Sequence, residues 1–325
     1  MPSKEWKIKK GVEYSELIKR YKVEFPYLDD MSLGKIIVDR EKLQYSPETF
    51  AKMIPYARDT KKDVSLDDDE FVIDIPESLY KERERFVIPA GIERLLFIAD
   101  LHIPYHNIQA IKLAIKYGYD NGMRGIFLGG DIIDFYSISS FQRLPHLRQV
   151  KIEVDLTRQF LYNLRDKFPD LEIYYKIGNH ENRWTNYLIK QAPELYDMDS
   201  MQFDDVMHLT KLRIKMIDSL TVTEYGKLNI IHGHEIFGGG IHAARNFRIK
   251  ASDNVLFGHV HKSQEDLTKT IKDKIMGGWS VGCLCGTSPD YMSINNWNLG
   301  FAFLTREKDG FFTVQNKKII NGYIY

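Results

Sequence analysis

Residues 126–128, Ile-Phe-Leu, form an apolar run that stops abruptly at Gly129, Gly130 and Asp131. A run without polar alternation reads as a strand buried on both faces, the habit of α/β proteins, whose sites lie where strands end in loops. The same pattern recurs. Residues 94–99 run into Asp100-Leu101-His102, and residues 171–177 into Gly178-Asn179-His180-Glu181. Residues 228–231 precede His232-Gly233-His234, and residues 255–257 precede Gly258-His259-Val260-His261. Five strand ends are thus expected to deliver Asp100, His102, Asp131, Asn179, His232, His259 and His261 to one rim. A single D-x-H or G-H-x-H carries little weight, because a lone His beside a strand is more often a hydrogen-bonded core or loop residue than a ligand. The recurrence in order carries the inference.

At 325 residues the chain has room for one large domain, or for one domain and a small appendage. Lys+Arg and Asp+Glu both number 45, so no global charge directs it to nucleic acid or to a membrane surface. The first seven residues lack the apolar core of a signal peptide, and no apolar run approaches the roughly 18 residues of a membrane helix. The chain therefore reads as cytoplasmic, with no membrane partner. Cys283 and Cys285, separated by a single residue on an apparent strand, are expected to be reduced structural thiols.

Residues 1–62 read as a small helical module. Amphipathic helices are expected over 14–21, 32–37 and 46–54, the last with Ser46 as N-cap and Pro47 at the first helical position. Its 14 basic and 10 acidic residues give a net +4. Such a module could place one helix in a major groove while Lys52, Arg58, Lys61 and Lys62 meet phosphates, as in helix-turn-helix proteins, or it could be a plain helical cap with solvated lysines. Residues 63–90 read as a connector, with an acidic run at Asp67-Asp68-Asp69-Glu70 and a short edge strand over 71–76. In the main domain, 91–325, helices are expected over 108–119, 149–168, 181–192 and 241–250, and strands with Gly turns over 276–325. A mixed loop over 135–147, holding Tyr136, Ser137, Ser139, Arg143 and His146, forms either one wall of a substrate cleft or a solvated surface loop.

The five motifs match, in order, the pattern D-x-H, G-D-x-x-D, G-N-H-[DE], a separate His and G-H-x-H, through Asp100/His102, Asp131/Asp134, Asn179/His180/Glu181, His232 and His259/His261. In this the chain resembles the calcineurin-like metallophosphoesterases over roughly residues 93–303, and is similar to phage and bacterial members with a helical N-terminal module. The resemblance implies an α/β fold of two sheets face to face with helices outside each, an αββα sandwich. It also implies a dinuclear metal centre bridged by Asp131, with Asp100, His102 and His261 completing one site and Asn179, His232 and His259 the other. Phosphate esters resist attack because the reacting group is already anionic; two divalent metals about 3.5–4 Å apart lower the pKa of a shared water, giving a hydroxide nucleophile, and clamp the phosphate oxygens. Mixed imidazole and carboxylate ligands suit Mn, Fe, Zn or Ni, with Mg a further alternative, and the resemblance favours manganese.

The resemblance assigns His180 to proton donation toward the leaving group, with Asp134 holding its ring, unless Asp134 merely caps its own turn. Arg183 either grips a phosphate oxygen or pairs with Glu181. His234 and Arg245 are further substrate-side candidates, the latter near the triple glycine 238–240 and a helix start. In protein Ser/Thr phosphatases the second motif continues into Arg-Gly, whereas Phe135-Tyr136 follow Asp134 here. The segment Gly282-Cys283-Leu284-Cys285, with Asp290-Tyr291 and residues 297–301, looks similar to phage and bacterial members. The leading expectation is a phosphodiesterase or nuclease, ahead of a phosphomonoesterase or protein phosphatase, and of a non-enzymatic DNA-binding module on a metal-bound scaffold.

Overall fold

The computed structural model describes residues 3–57, 76–140, 149–238, 240–289, 292 and 294–325. The chain divides into two units, Met1–Tyr80 and Lys81–Tyr325.

The first unit is helical, with α1 (Lys4–Glu13), α2 (Ser15–Glu24), α3 (Asp30–Arg40), α4 (Pro47–Ala51) and a single 3-10 turn at Ile54–Tyr56. Three of the helices start on side-chain caps: Ser3 accepts from the Trp6 amide, Asp29 from Ser32 and Ser46 from Thr49, the last followed by Pro47 as expected. Ile18, Tyr21, Leu33, Ile37, Phe50, Met53 and Ile54 form its core. The helix over 4–13 was not anticipated, because Lys-Glu-Trp-Lys-Ile-Lys-Lys-Gly has too few apolar positions to show a stripe. Its close seat depends on Gly11, where a Cβ would lie 2.7 Å from the Met53 carbonyl. Arg20 pairs with Glu41 and Arg40 with Glu24, so part of the basic excess is met by acids of the same unit. Lys52 is exposed; Arg58, Lys61 and Lys62 lie outside the described residues.

The second unit begins with β1 (Phe86–Val87), β2 (Arg94–Ile98), α5 (Ile108–Asp120), β3 (Gly125–Leu128), α6 (Val150–Lys167), β4 (Glu172–Lys176) and α7 (Asn182–Gln191). It continues through α8 (Phe203–Met207), β5 (Ile214–Ile217), β6 (Thr223–Tyr225), β7 (Leu228–Ile230), α9 (Ala243–Ala251) and β8 (Val255–Phe257). Five further strands complete it: β9 (Gln264–Lys269), β10 (Ile275–Ser280), β11 (Leu299–Arg306), β12 (Phe312–Ile320) and β13 (Tyr323–Ile324). One sheet has the order β13-β12-β11-β2-β3-β4-β5, with β2 to β5 mutually parallel; the other has the order β1-β6-β7-β8-β10-β9.

Side-chain alternation shows the layers. Leu95, Phe97, Phe127, Tyr174, Ala302 and Leu304 face the second sheet's Leu228, Ile230, Leu256 and Trp279 in one core, while their neighbours Leu96, Ile98, Ile126, Leu128, Ile173 and Phe301 join Ala110, Ala114, Leu161 and Leu164 of α5 and α6 in another. On the far side Val255 and Phe257 pack with Phe247 of α9. Helix, sheet, sheet, helix is therefore the order of layers, an α/β sandwich in which the central strands are apolar throughout because both faces are covered.

Two details differ from expectation. Residues 86–87, read as connector, pair in parallel with β6, and Ile88 enters the inter-sheet core. The expected strand over 71–75, the acidic run 67–70, and Arg143 and His146 of the loop after Asp134 lie outside the described residues, as do Gly239, Asp290 and Tyr291. The segment holding Cys283 and Cys285 is not a regular strand: Cys283 forms an isolated β-bridge with Leu299 and Cys285 one with His106, and both thiols are free and buried. Among the described residues no helix is long and apolar enough to cross a membrane.

Candidate metal centre

The strand ends bring the seven expected residues together by turning sharply. Asp100, His102, Asp131, His259 and His261 all have positive φ, between 49° and 65°, in the left-handed region that non-glycine residues seldom occupy. Such strain persists only where the surroundings over-determine it, and it clusters at functional sites. The flanking glycines make room for this packing. A Cβ on Gly178 would lie 2.3 Å from Asp131 Oδ1, and one on Gly258 would lie 2.5 Å from Asp100 Oδ2.

Asp131 is the hub. Its Oδ1 accepts from the His180 amide at 2.9 Å, while Oδ2 lies 3.2 Å from His232 Nε2, 3.7 Å from His180 Nε2 and 3.9 Å from His102 Nε2. To one side, His102 Nε2 and His261 Nε2 face each other at 3.1 Å, and Asp100 Oδ1 is 3.4 Å from the latter. To the other, Asn179 Oδ1 is 3.1 Å from His232 Nε2, and the His259 ring stands 5.1 Å from the His232 ring. Two sets of donors thus share Asp131: Asp131, His102 and His180 in one, Asp131, His232 and His259 in the other.

Hydrogen bonds at the outer ring nitrogens fix these orientations. His232 Nδ1 donates to the Gly129 carbonyl at 2.8 Å, and His102 Nδ1 lies 2.9 Å from Asp134 Oδ1, so both Nε2 atoms are left pointing inward. Asp100 accepts from the His259 amide with both oxygens. His261 Nδ1 is buried without a hydrogen-bond partner. Inward-facing imidazoles, carboxylates and an amide oxygen form a donor set that fits divalent metal ions.

Burial opposes ionisation of Asp131, yet the surrounding His180, His232 and His102 hold its carboxyl well below the usual range. Burial also works against a charged His232, but Asp131 and then Asp100 push it up to about 10. His259 is held down to about 4 by burial and the neighbouring His232.

It has the fold of a calcineurin-like metallophosphoesterase. The two-sheet sandwich and the convergence of every motif of that pattern on one rim carry this statement. No protein-family model matches the chain. The gene 54 protein of Mycobacterium phage L5 is 26% identical over 237 residues, which cover 66% of this chain and 89% of that protein. Among solved structures, Vacuolar Protein Sorting 29 from Cryptosporidium parvum is 12% identical, with 72% of this chain and 94% of that chain covered and a TM-score of 0.41. Yfce, a phosphoesterase from E. coli, is 11% identical, with 67% and 96% covered and a TM-score of 0.33.

Around this candidate centre the remaining candidates divide. Asp134 serves two rings, bonding the candidate ligand His102 and approaching His180 Nδ1 with Oδ1 at 3.2 Å, while its backbone carbonyl accepts from the same nitrogen at 2.8 Å. Arg183 reaches the Asp134 carbonyl at 2.8 Å and lies 3.0 Å from His180 Nε2. Glu181 is engaged elsewhere: its carboxylate accepts from the amides of Asp131, Ile132 and Gly178 and from the Tyr175 hydroxyl, tying two candidate ligand loops together. His234 stands with its ring 5.4 Å from His232 and its Nε2 2.8 Å from Ser219 Oγ. Arg245 lies exposed on α9, and Arg248, buried, pairs with Asp266. Phe135, in place of the protein-phosphatase Arg, is buried and stacks on Trp184.

Two features escaped the sequence reading. Lys176, inside the apolar run of β4, is fully buried; its Nζ donates to the carbonyls of Asp218 and Ser219 and pairs with Glu235 at 3.1 Å, and Glu235 in turn accepts from the amides of His232 and Gly233. Only the charge itself, at odds with its run, signalled it. Cys285 lies within 4.8 Å of ring nitrogens of His102 and His261. Nothing in its spacing announced that.

Proposed function

We propose that the protein hydrolyses a phosphodiester of a nucleotide or nucleic acid at a dinuclear metal centre. Asp100, His102 and His261 would hold one ion and Asn179, His232 and His259 the other, with Asp131 between them. The observation that carries this reading is Asp131 Oδ2, placed among the Nε2 atoms of His102, His180 and His232 so that one carboxylate serves both donor sets. When bound, such an ion pair activates water and neutralises charge on the phosphate.

The protein's own groups do the rest. His180 keeps its Nδ1 proton on Asp134, which fixes the ring and leaves Nε2 turned toward Asp131 and Arg183. Burial lowers its pKa, but Asp131 and Asp134 outweigh this and raise it; Nε2, which accepts from Arg183, is the ring atom that would exchange a proton with the leaving oxygen. Arg183, fixed by the Asp134 carbonyl, offers a second cationic group for a phosphate oxygen.

Aromatic rings flank this rim, which suits a base-bearing ester. Trp297 meets His261 edge-on with ring centres 4.2 Å apart, and Tyr105 and Tyr136, soon after His102 and Asp134, stand 6.3 Å apart. Arg183 beside His180 favours the second reading, a phosphomonoesterase. We assign substrate binding to the metal rim, where the donor sets and these aromatic rings lie. Purified protein loaded in turn with manganese, iron or zinc is expected to cleave bis(p-nitrophenyl) phosphate, or single-stranded DNA or RNA, with higher kcat/KM than p-nitrophenyl phosphate. The reverse preference establishes the monoesterase, and inertness toward all of them refutes the phosphoesterase reading.

A further inference from the structure

We infer that Cys285 supplies a thiolate ligand to the ion held by Asp100, His102 and His261, making that position a mixed nitrogen, oxygen and sulfur site selective for zinc, iron or cobalt over magnesium and manganese. The inference rests on the dinuclear reading above and deepens it.

Three observations converge on it. Cys285 is buried, and its Sγ and one ring nitrogen each of His102 and His261 all lie within 4.8 Å of one another. The backbone holds the thiol there. The amides of Leu284 and Gly286, on either side of Cys285, donate to the carbonyls of Asp100 and Tyr105, which flank the D-x-H loop. On the other side, Asn298 donates its amide to the His261 carbonyl and accepts from the amide of Cys283. The segment is thus bolted to both loops that carry the imidazoles. Finally, His261, itself nine-tenths buried, has an Nδ1 without a hydrogen-bond partner.

The chemistry follows from ligand softness. Magnesium and manganese prefer oxygen, whereas thiolate favours zinc and iron among the first-row ions. On coordination the thiol gives its proton to solvent and the sulfur lone pair bonds the ion, with no change of oxidation state. The two positions would then differ, one with sulfur and the other with an amide oxygen, so a mixed-metal centre is the expected occupancy.

Cobalt(II) titration of the full chain tests this. Two equivalents are expected to bind with a near-ultraviolet thiolate-to-cobalt charge-transfer band that is kept in Cys283→Ser and lost in Cys285→Ser, while the weaker visible bands of cobalt remain. The ratio of zinc to manganese affinity is expected to fall on the order of tenfold or more in Cys285→Ser. Two cobalt ions bound by the wild type without that band would overturn the thiolate and leave the dinuclear centre standing, whatever the stability of the variants. Retention of the band in Cys285→Ser, with its loss in Cys283→Ser, would also overturn it. No cobalt binding at all would sink the metal reading and the thiolate with it.

Discussion

Arg40 and Glu24 of the helical unit meet at 2.7 Å with about half of each side chain in solvent, whereas His232 and Asp131 of the sandwich meet at 3.2 Å with both side chains almost wholly buried. The first kind of pair contributes little to folding, because water screens it and two long side chains must be ordered. The second kind costs folding free energy through desolvation, and apolar residues of the same shape would often serve the fold as well. Buried charge that the fold does not need marks the candidate functional site. Within the sandwich, Lys176–Glu235 is a third case, buried and fully hydrogen-bonded, supporting the His232 loop without being offered to a ligand.

The sharpest break in this comparison is expected at Asp131. Asp131→Asn removes the charge both donor sets share, so bound metal and turnover should fall to background while the far-ultraviolet spectrum is kept. His180→Ala removes only the proton donor, so metal content should stay at the wild-type level while kcat drops by about 10²–10⁴-fold. Metal analysis and steady-state rates on the two purified variants separate the roles. Metal loss in His180→Ala with retention in Asp131→Asn would exchange them.

Next in size is the buried support. Lys176→Met leaves the Glu235 carboxylate without its cation and the Asp218 and Ser219 carbonyls without their donor, and a broken buried pair typically costs about 3–5 kcal/mol. Burial opposes charge on both partners. It pulls the lysine down despite Glu235, while Lys176, followed by His232 and the Gly233 amide, holds the Glu235 carboxyl below its ordinary value. A depressed carboxyl stabilises above the ordinary glutamate range and loses that contribution as pH falls through its folded value. The destabilisation by Lys176→Met, read from denaturant unfolding, should therefore be large at neutral pH and shrink on acidification. Arg40→Met in the helical unit should leave its unfolding midpoint close to unmoved at any pH. Equal effects of the two variants would erase the distinction between solvated and buried pairs.

The same distinction explains what the sequence disclosed. Strands β2, β3, β4, β7 and β8 were legible because a strand covered on both faces is apolar at every position, a strictly local signal, and the residues ending them were legible because they recur in order. Glu181, Lys176 and Cys285 were not, because their roles lie in partners far off in sequence. Glu181 reads as a member of the G-N-H-[DE] motif but bonds amides some 50 positions earlier, at Asp131 and Ile132. Cys285 needs the backbone bonds of Leu284 and Gly286 before it can be placed beside His102. The helix over 4–13 hid for a different reason: its contribution to the core is small, and its start is set by one serine hydroxyl. β1, two residues long, has no periodicity to detect and is defined only by its pairing with β6.

The smallest expected effects lie at the helix caps of the first unit, where charged and neutral caps can be set against each other. Ser46 accepts from the Thr49 amide and Asp29 from the Ser32 amide at 2.8 Å. Ser46→Ala should cost about 1 kcal/mol, with no pH dependence, since the hydroxyl does not titrate in this range. Asp29 differs because the Ser32 amide bond favours its charged form and lowers its pKa. Its contribution is complete above the ordinary aspartate range and is lost as pH falls through the lowered folded value, so Asp29→Ala should differ from wild type at neutral pH and approach it in acid. Amide hydrogen exchange of α3 and α4, compared between variant and wild type at each pH, reads both effects. A pH-independent penalty for Asp29→Ala would mean that its cap acts through shape rather than charge, and the contrast drawn between solvated and buried carboxylates would then have to rest on the sandwich alone.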